Sequence, residues 1–265
     1  MKSFHELLTE AVRDIAEHGY DSQERLDKWM KLLRDAAEQD APSVEELRGR
    51  MDEALRAIYR RNVERAAILR FHPNVDRYTL DRIRPDLRLE LDRRILASAD
   101  LIKLNRAQAI DKTLQRFSGW ATSIPLGGSR VVEKAEVKKL VGKSLARIKY
   151  EGRRLTIDQG HKLVSSINHV VAMQSGAIAL QWHSHWRQPG YHYRPDHKER
   201  DKKFYAIRDS WAVKEKLINK GEGYSDEMTQ VSEEPFCRCF ATYFNQLQDL
   251  PDSMLTARGR KLIKD

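Results

Sequence analysis

Cysteine is almost missing from this chain of 265 residues: only Cys237 and Cys239 occur, one residue apart. That excludes a disulfide framework and leaves free thiols or metal ligation as the readings of the pair. Long apolar runs are missing too, so no segment reads as a bilayer span, and no membrane partner is expected. The N-terminal residues mix Glu6, Glu10 and Asp14 among their apolar neighbours. A secretory leader has an uncharged core, so the expectation is a product of the cytoplasm. A Gly-rich phosphate loop, a paired-carboxylate motif and a nucleophilic Ser or Cys context are also lacking. Catalysis is therefore not favoured. Internal repeats and low-complexity tracts do not occur.

What the chain has in quantity is charge and helix-forming pattern. Hydrophobic residues make up 40% and charged residues 33% of it, which fits a folded, helix-rich protein rather than a disordered one. The net charge of +9 is unevenly spread: residues 1–60 hold ten Lys/Arg against fourteen Asp/Glu, while the remainder is strongly basic. A basic surface attracts polyanions by releasing their counterions, and a solvated face is the plainer reading of the same residues.

The expected fold class is α+β, with an N-terminal helical region followed by a smaller α+β domain holding a short, mainly antiparallel sheet. Ser3-Phe4-His5-Glu6 and Ser43-Val44-Glu45-Glu46 have the capping-box form, and apolar residues follow each at helical spacing. Residues 1–117 thus read as a helical region, whose stripes either pack as an ordinary bundle or serve as docking faces for a partner. Within it, Phe71-His72-Pro73 to Arg84-Pro85 reads as a charged connector, because proline disfavours helix in the residue before it. Asn105 reads as a fresh cap. Residues 118–129, with Gly119, Pro125, Gly127 and Gly128, read as a linker. The domain proper is placed at 130–250 and a basic tail at 251–265.

A basic helix with Val137, Leu140, Val141 and Leu145 as its stripe opens that domain. Lys138, Lys139, Lys143, Arg147, Arg153 and Arg154 are its nucleic-acid-facing candidates. From Ala177 the period changes. Residues 177–183, 203–207 and 236–244 are short runs with aromatic and β-branched residues, bounded by turn formers, and read as strands.

In an extended segment alternate side chains share a face, so Cys237 and Cys239 project together while Phe236, Arg238 and Phe240 project the other way. Zinc takes four tetrahedral ligands, commonly Cys and His, and His183, His185, His192 and His197 supply the nitrogens. Zinc is accordingly the candidate cofactor, with Cys237, Cys239, His183, His185 and His197 as its ligand candidates. The spacing matches no standard finger. The plainer reading has two half-buried strand cysteines and loop histidines bonded to backbone. Arg194, Asp196, His197, Arg200 and Asp201 then form a charge-paired structural loop.

Four runs occur in a recognisable order: Arg194-Pro195-Asp196-His197-Lys198-Glu199-Arg200-Asp201, Tyr205-Ala206-Ile207-Arg208-Asp209-Ser210-Trp211, Gly223-Tyr224-Ser225-Asp226-Glu227, and Glu233-Glu234-Pro235-Phe236-Cys237-Arg238-Cys239. Together with Ser175-Gly176-Ala177 and Trp182 upstream, they resemble the phage head morphogenesis domain, the minor capsid family that includes the phage Mu F protein. The resemblance covers about residues 130–250. Lys202 departs from it, standing where relatives often carry glycine, which implies a different loop turn. Ser98-Ala99-Asp100-Leu101-Ile102-Lys103 is similar to the family's variable helical region.

The resemblance implies a minor structural head protein of a tailed bacteriophage, internal to the virion, assembled in the host cytoplasm and associated with the portal vertex. It implies portal or major capsid protein as partners, non-specific proximity to packaged double-stranded DNA, and a part in head assembly, packaging or ejection. It brings no catalytic residues. The rival expectations are a metal-dependent nuclease or ADP-ribosyltransferase-like enzyme, and a DNA-binding protein working outside the virion.

Overall fold

The computed structural model describes residues 2–40, 43–64, 68, 72 and 77–264. Nine α-helices and three strands occur among them: α1 Phe4–His18, α2 Gln23–Asp40, α3 Val44–Val63, α4 Arg77–Ala121, α5 Lys134–Ala146, α6 Ile148–Gln174, β1 Ala179–His183, α7 Pro195–Glu199, β2 Phe204–Ala206, α8 Trp211–Lys214, β3 Phe240–Phe244 and α9 Ala257–Lys264. Two compact units divide the chain, Met1–Met51 with Leu96–Leu155, and Asp52–Ile95 with Thr156–Asp265. The fold is α+β, as the sequence pattern predicts.

In the first unit the capping box forms at Ser3: its hydroxyl accepts from the Glu6 N–H, and Glu6 returns the bond to the Ser3 N–H at 2.8 Å. Ser43 and Glu46 repeat the arrangement at 2.9 and 3.1 Å. The apolar stripe of α1 buries Leu8, Val12 and Ile15 against Leu26 and Leu33 of α2, and against Ile110, Leu114 and Phe117 of α4. Asp14 ties the first two helices together by accepting from the Trp29 indole at 2.7 Å and pairing with Arg25. Residues 118–129, expected as a linker, lie inside this unit. The first four complete α4, and the Gly127 and Ser129 N–H groups donate to the His18 and Ala16 carbonyls at 2.9 Å each. Gly128 has φ +80°, and a β-carbon there would overlap the Ala16 and Glu17 carbonyl oxygens, so this close approach needs glycine. On α5, Val141 is buried, whereas Leu140, expected in the same stripe, is exposed.

Two expectations for α4 are corrected. The connector read from Phe71 to Pro85 is helical from Arg77 onward, with Pro85 inside the helix; residues 69–71 and 73–76 lie outside the described residues. Proline inside a helix costs about 3 kcal/mol. Burial of Ile83, Leu87, Leu91 and Ile95, at about 2 kcal/mol each, outweighs that. Asn105 is likewise no cap, since the helix runs through it.

In the second unit the sheet has the order β2-β1-β3 and is antiparallel throughout, with Leu180 opposite both Tyr205 and Tyr243. Residues 236–239, expected as the start of the third strand, form a turn and an extended lead-in; the ladder begins at Phe240. One face of the sheet carries Leu180, Trp182 and Tyr205, packed with Val231, Cys237 and Cys239. The other carries Ala179 and Ala206, packed with Leu217, Leu247 and Leu255. Helix α6 joins this unit through Ser165, which donates to the Val231 carbonyl at 2.8 Å, and His169, whose Nδ1 lies 3.2 Å from the Tyr243 hydroxyl. The tail read as basic forms α9.

Candidate metal centre

The site is built by two loops closing over one face of the sheet. Strand β1 alternates, and its buried Trp182 meets the edge of the His197 ring at 5.3 Å between centroids. His197 sits on α7, a short helix that Pro195 can start because its missing N–H is not needed in a first turn. The closing segment, residues 232–239, brings Cys237 and Cys239 to the same ring. Phe236, at φ +59°, turns that segment, and its N–H donates to Asp158 of α6 at 2.6 Å. Asp158 is buried and also pairs with Lys162 at 3.1 Å. Tyr191 holds the same segment, accepting from the Arg238 N–H at 3.1 Å and donating to the Phe236 carbonyl at 3.4 Å.

Three buried donors converge there. The Nδ1 of His197 lies 3.5 Å from the Cys237 sulfur and 3.4 Å from that of Cys239. All three residues are at most 2% exposed, and their donor atoms lie within 4.8 Å of one another. On the other side of the imidazole, Nε2 is 3.6 Å from Glu234 and 3.9 Å from Asp196. Glu234 is held in turn by Arg194, which also donates to the Pro235 carbonyl at 2.9 Å.

The thiol pair gives up one proton readily. Cys237 is lowered to about 6, chiefly by a hydrogen bond from the Cys239 thiol, with a backbone bond at Cys239 and the nearby His197 adding to it against the opposing effect of burial. The Cys239 thiol is raised by that same bond, by burial and by the neighbouring charge. Thiolates are the ligating form, so a thiol this acidic suits a metal ligand. His197, Cys237 and Cys239 thus form a cluster able to hold a metal ion.

The other predicted ligands fall elsewhere. His183 follows Trp182 in β1 and therefore points to the opposite face, where it stacks on Phe240 at 4.6 Å and lies 3.0 Å from the Thr242 hydroxyl. Its imidazolium is disfavoured by burial. His185 meets Phe240 edge-on at 5.9 Å, and His192 is exposed. Neither joins the three-donor group.

Of the residues read as a charge-paired loop, Asp196 pairs with Arg200 and lies near His197, whereas Arg194 pairs with Glu234 outside the loop and Asp201 bonds Ser184 and Trp186 instead of a cation of the loop. Arg200 pairs with Asp196 at 2.9 Å, lies 5.3 Å over the Trp182 ring and reaches Thr229 at 3.3 Å. Asp201 accepts from the Ser184 N–H at 2.8 Å and from the Trp186 indole at 2.9 Å. Lys202, at φ +64°, adopts the backbone that glycine favours, and its N–H donates to the Trp182 carbonyl at 2.7 Å. Glu234, Tyr191 and Asp158 are the contributors that sequence reasoning missed. The i,i+4 spacing of Asp158 and Lys162 was visible, but nothing local marked the pair as buried.

The basic candidates belong to the first unit. Lys138 reaches the Thr9 hydroxyl at 3.5 Å, and Arg154 pairs with Glu151 at 3.8 Å. Lys139, Lys143 and Arg147 recur every fourth residue along α5 and its cap and are exposed, as is Arg153.

No family model, curated protein or solved structure matches the chain. No helix among the described residues is long and apolar enough to cross a membrane.

Proposed function

We propose that the chain is a minor structural head protein of a tailed bacteriophage, internal to the virion and associated with the portal vertex. Its second unit is held closed by zinc at His197, Cys237 and Cys239. The observation that carries this reading is the use of the four motif runs: they pair off as internal clamps. The first run meets the fourth at His197, Cys237 and Cys239. The second meets the third where Arg208 pairs with Asp226 at 2.9 Å and Glu227 at 2.6 Å, lying 3.9 Å over the Tyr224 ring. Side chains engaged with one another inside the unit suit architecture better than turnover. His197, at 2% exposure, is poorly placed to reach a substrate as general base.

Zinc fits the donor set. Tetrahedral bonds of about 2.3 Å to sulfur and 2.05 Å to nitrogen separate the two atoms by about 3.6 Å, close to the 3.5 and 3.4 Å between His197 and the cysteines. Two thiolates and one imidazole leave a fourth position for water or another ligand. When bound, the ion supplies a cross-link between α7 and the closing segment. His197 supplies its Nδ1 to the ion, which leaves the Nε2 proton facing Glu234, the carboxylate–histidine arrangement that orients metal-bound imidazoles.

Exposed Leu101 and Leu104 on α4 and Leu140 on α5 offer the first unit's helices apolar surface for capsid or portal protein. Lys139, Lys143 and Arg147 offer a positive stripe to dense DNA. The test is mass spectrometry of purified particles, together with zinc analysis and a metal-dependent DNA cleavage assay on the purified chain. The reading expects the polypeptide in particles, about one zinc per chain and no cleavage. Absence from particles, or cleavage abolished by His197→Ala, overturns it in favour of a soluble DNA-binding protein or a nuclease.

A further inference from the structure

A small cleft of about 160 Å³ opens beside the closing segment, in the second unit, between α6 and the start of β3. Sites for drug-sized ligands run from about 300 Å³ upward, so this one suits an ion or a single chemical group. Its lining combines Arg238 with His161, His185, Asn168 and the aromatic side chains of Phe240 and Tyr243.

The charge of this cleft is unbalanced. Alternation along Cys237-Arg238-Cys239 buries both sulfurs and leaves Arg238 half-buried, facing the cleft. Among the described residues no carboxylate pairs with its guanidinium. Asp158, the acid whose charge acts on His161, has its oxygens engaged by the Phe236 N–H at 2.6 Å and by Lys162 at 3.1 Å. Partial burial first, and then the charges of Arg238 and His185, disfavour the imidazolium of His161, and its ring offers an N–H donor. A half-buried guanidinium with nitrogen donors around it and no acid beside it gains most from an oxyanion, which it can meet through two parallel N–H bonds.

We propose that the cleft lined by Arg238, His161, His185 and Asn168 binds a phosphate group. Arg238 grips two of its oxygens, and the ring N–H groups and the Asn168 amide take the others. The group can arrive as inorganic phosphate or as a phosphodiester of nucleic acid, the shared chemistry being a tetrahedral phosphorus oxyanion. The inference does not depend on a virion role or on zinc, and its test reads neither.

The experiment titrates the full chain with sodium phosphate against sodium chloride at matched ionic strength, by calorimetry and by thermal shift. Saturable binding to phosphate over chloride is expected. Arg238→Gln removes the fixed charge, and His161→Glu, on α6 at the cleft, supplies a competing carboxylate. Each should weaken phosphate binding by about tenfold or more, as the loss of a charge-assisted hydrogen bond does, with unchanged circular dichroism. Where Arg238→Gln fails to fold, His161→Glu carries the test alone. A short DNA duplex that displaces phosphate identifies the phosphodiester as the source, and one that does not identifies the free ion. A wild-type chain that responds to phosphate no more than to chloride overturns the site, as does binding unaltered in the folded variants.

Discussion

The Nε2 of His197 lies 3.6 Å from a carboxylate oxygen of Glu234, on the side of the ring away from the two thiols. The distance is longer than a hydrogen bond but short enough for the carboxylate to attract the proton there. It thereby favours the tautomer whose Nδ1 lone pair faces the sulfurs. Glu234→Gln keeps the shape and removes the charge. Zinc affinity, measured by competition with a chromophoric chelator, should fall by about 10- to 100-fold. Unchanged affinity would show that Glu234 serves only its pairing with Arg194.

Acid should release the metal. The Cys237 thiol is held at about 6, below its ordinary 9.0. Thiolate-linked stability is therefore complete above the unfolded value and is lost as pH falls through about 6. Dialysis at about pH 5 should strip zinc that is retained at about pH 7.5, because protons then compete for the sulfur. In the metal-free protein, the melting-temperature gap between wild type and Cys237→Ser should be wider at about pH 8 than at about pH 5.5. A gap that widens towards acid contradicts the lowered thiol.

Lys202 offers a stability test that leaves the donors untouched. An L-residue with a left-handed backbone costs about 1–2 kcal/mol, and glycine gives back part of the relief through its greater freedom in the unfolded chain. Lys202→Gly should be neutral to stabilising by up to about 1 kcal/mol, read from chemical denaturation midpoints. A loss of stability would mean that the lysine side chain contributes more than its backbone costs.

For the basic stripe the measurement is the salt dependence of DNA binding. Exchanging Lys139, Lys143 and Arg147 together for glutamine should flatten the slope of log affinity against log salt by roughly 2 to 3, at about 0.9 per phosphate contact. Helix content should not change. An unaltered slope would leave the stripe as a solvated surface.

The parts of the centre that follow a local period were legible in the sequence. Alternation placed Cys237 and Cys239 on one side, and both are buried while Arg238 is half-exposed, even though the segment makes no ladder. The same period could have excluded His183, since it cannot share a face with Trp182. Both capping boxes formed because their bonds span only three residues. Pro85 misled for an energetic reason: a local penalty was judged without the four buried apolar side chains around it. Glu234 and Tyr191 were invisible because their partners stand 37 and 47 residues away in the chain, a separation that no window or spacing rule reaches.

The bond from the Phe236 N–H to Asp158 crosses 78 residues. A recombinant fragment cut to the motif-bearing stretch alone, from Arg194 to Cys239, would leave behind the helical carboxylate that fixes the turn at Phe236, and with it the strand carrying Trp182. Such a peptide would present two cysteines and a histidine on an unorganised backbone. The shortest portion worth expressing for metal studies must therefore reach back to the middle of α6.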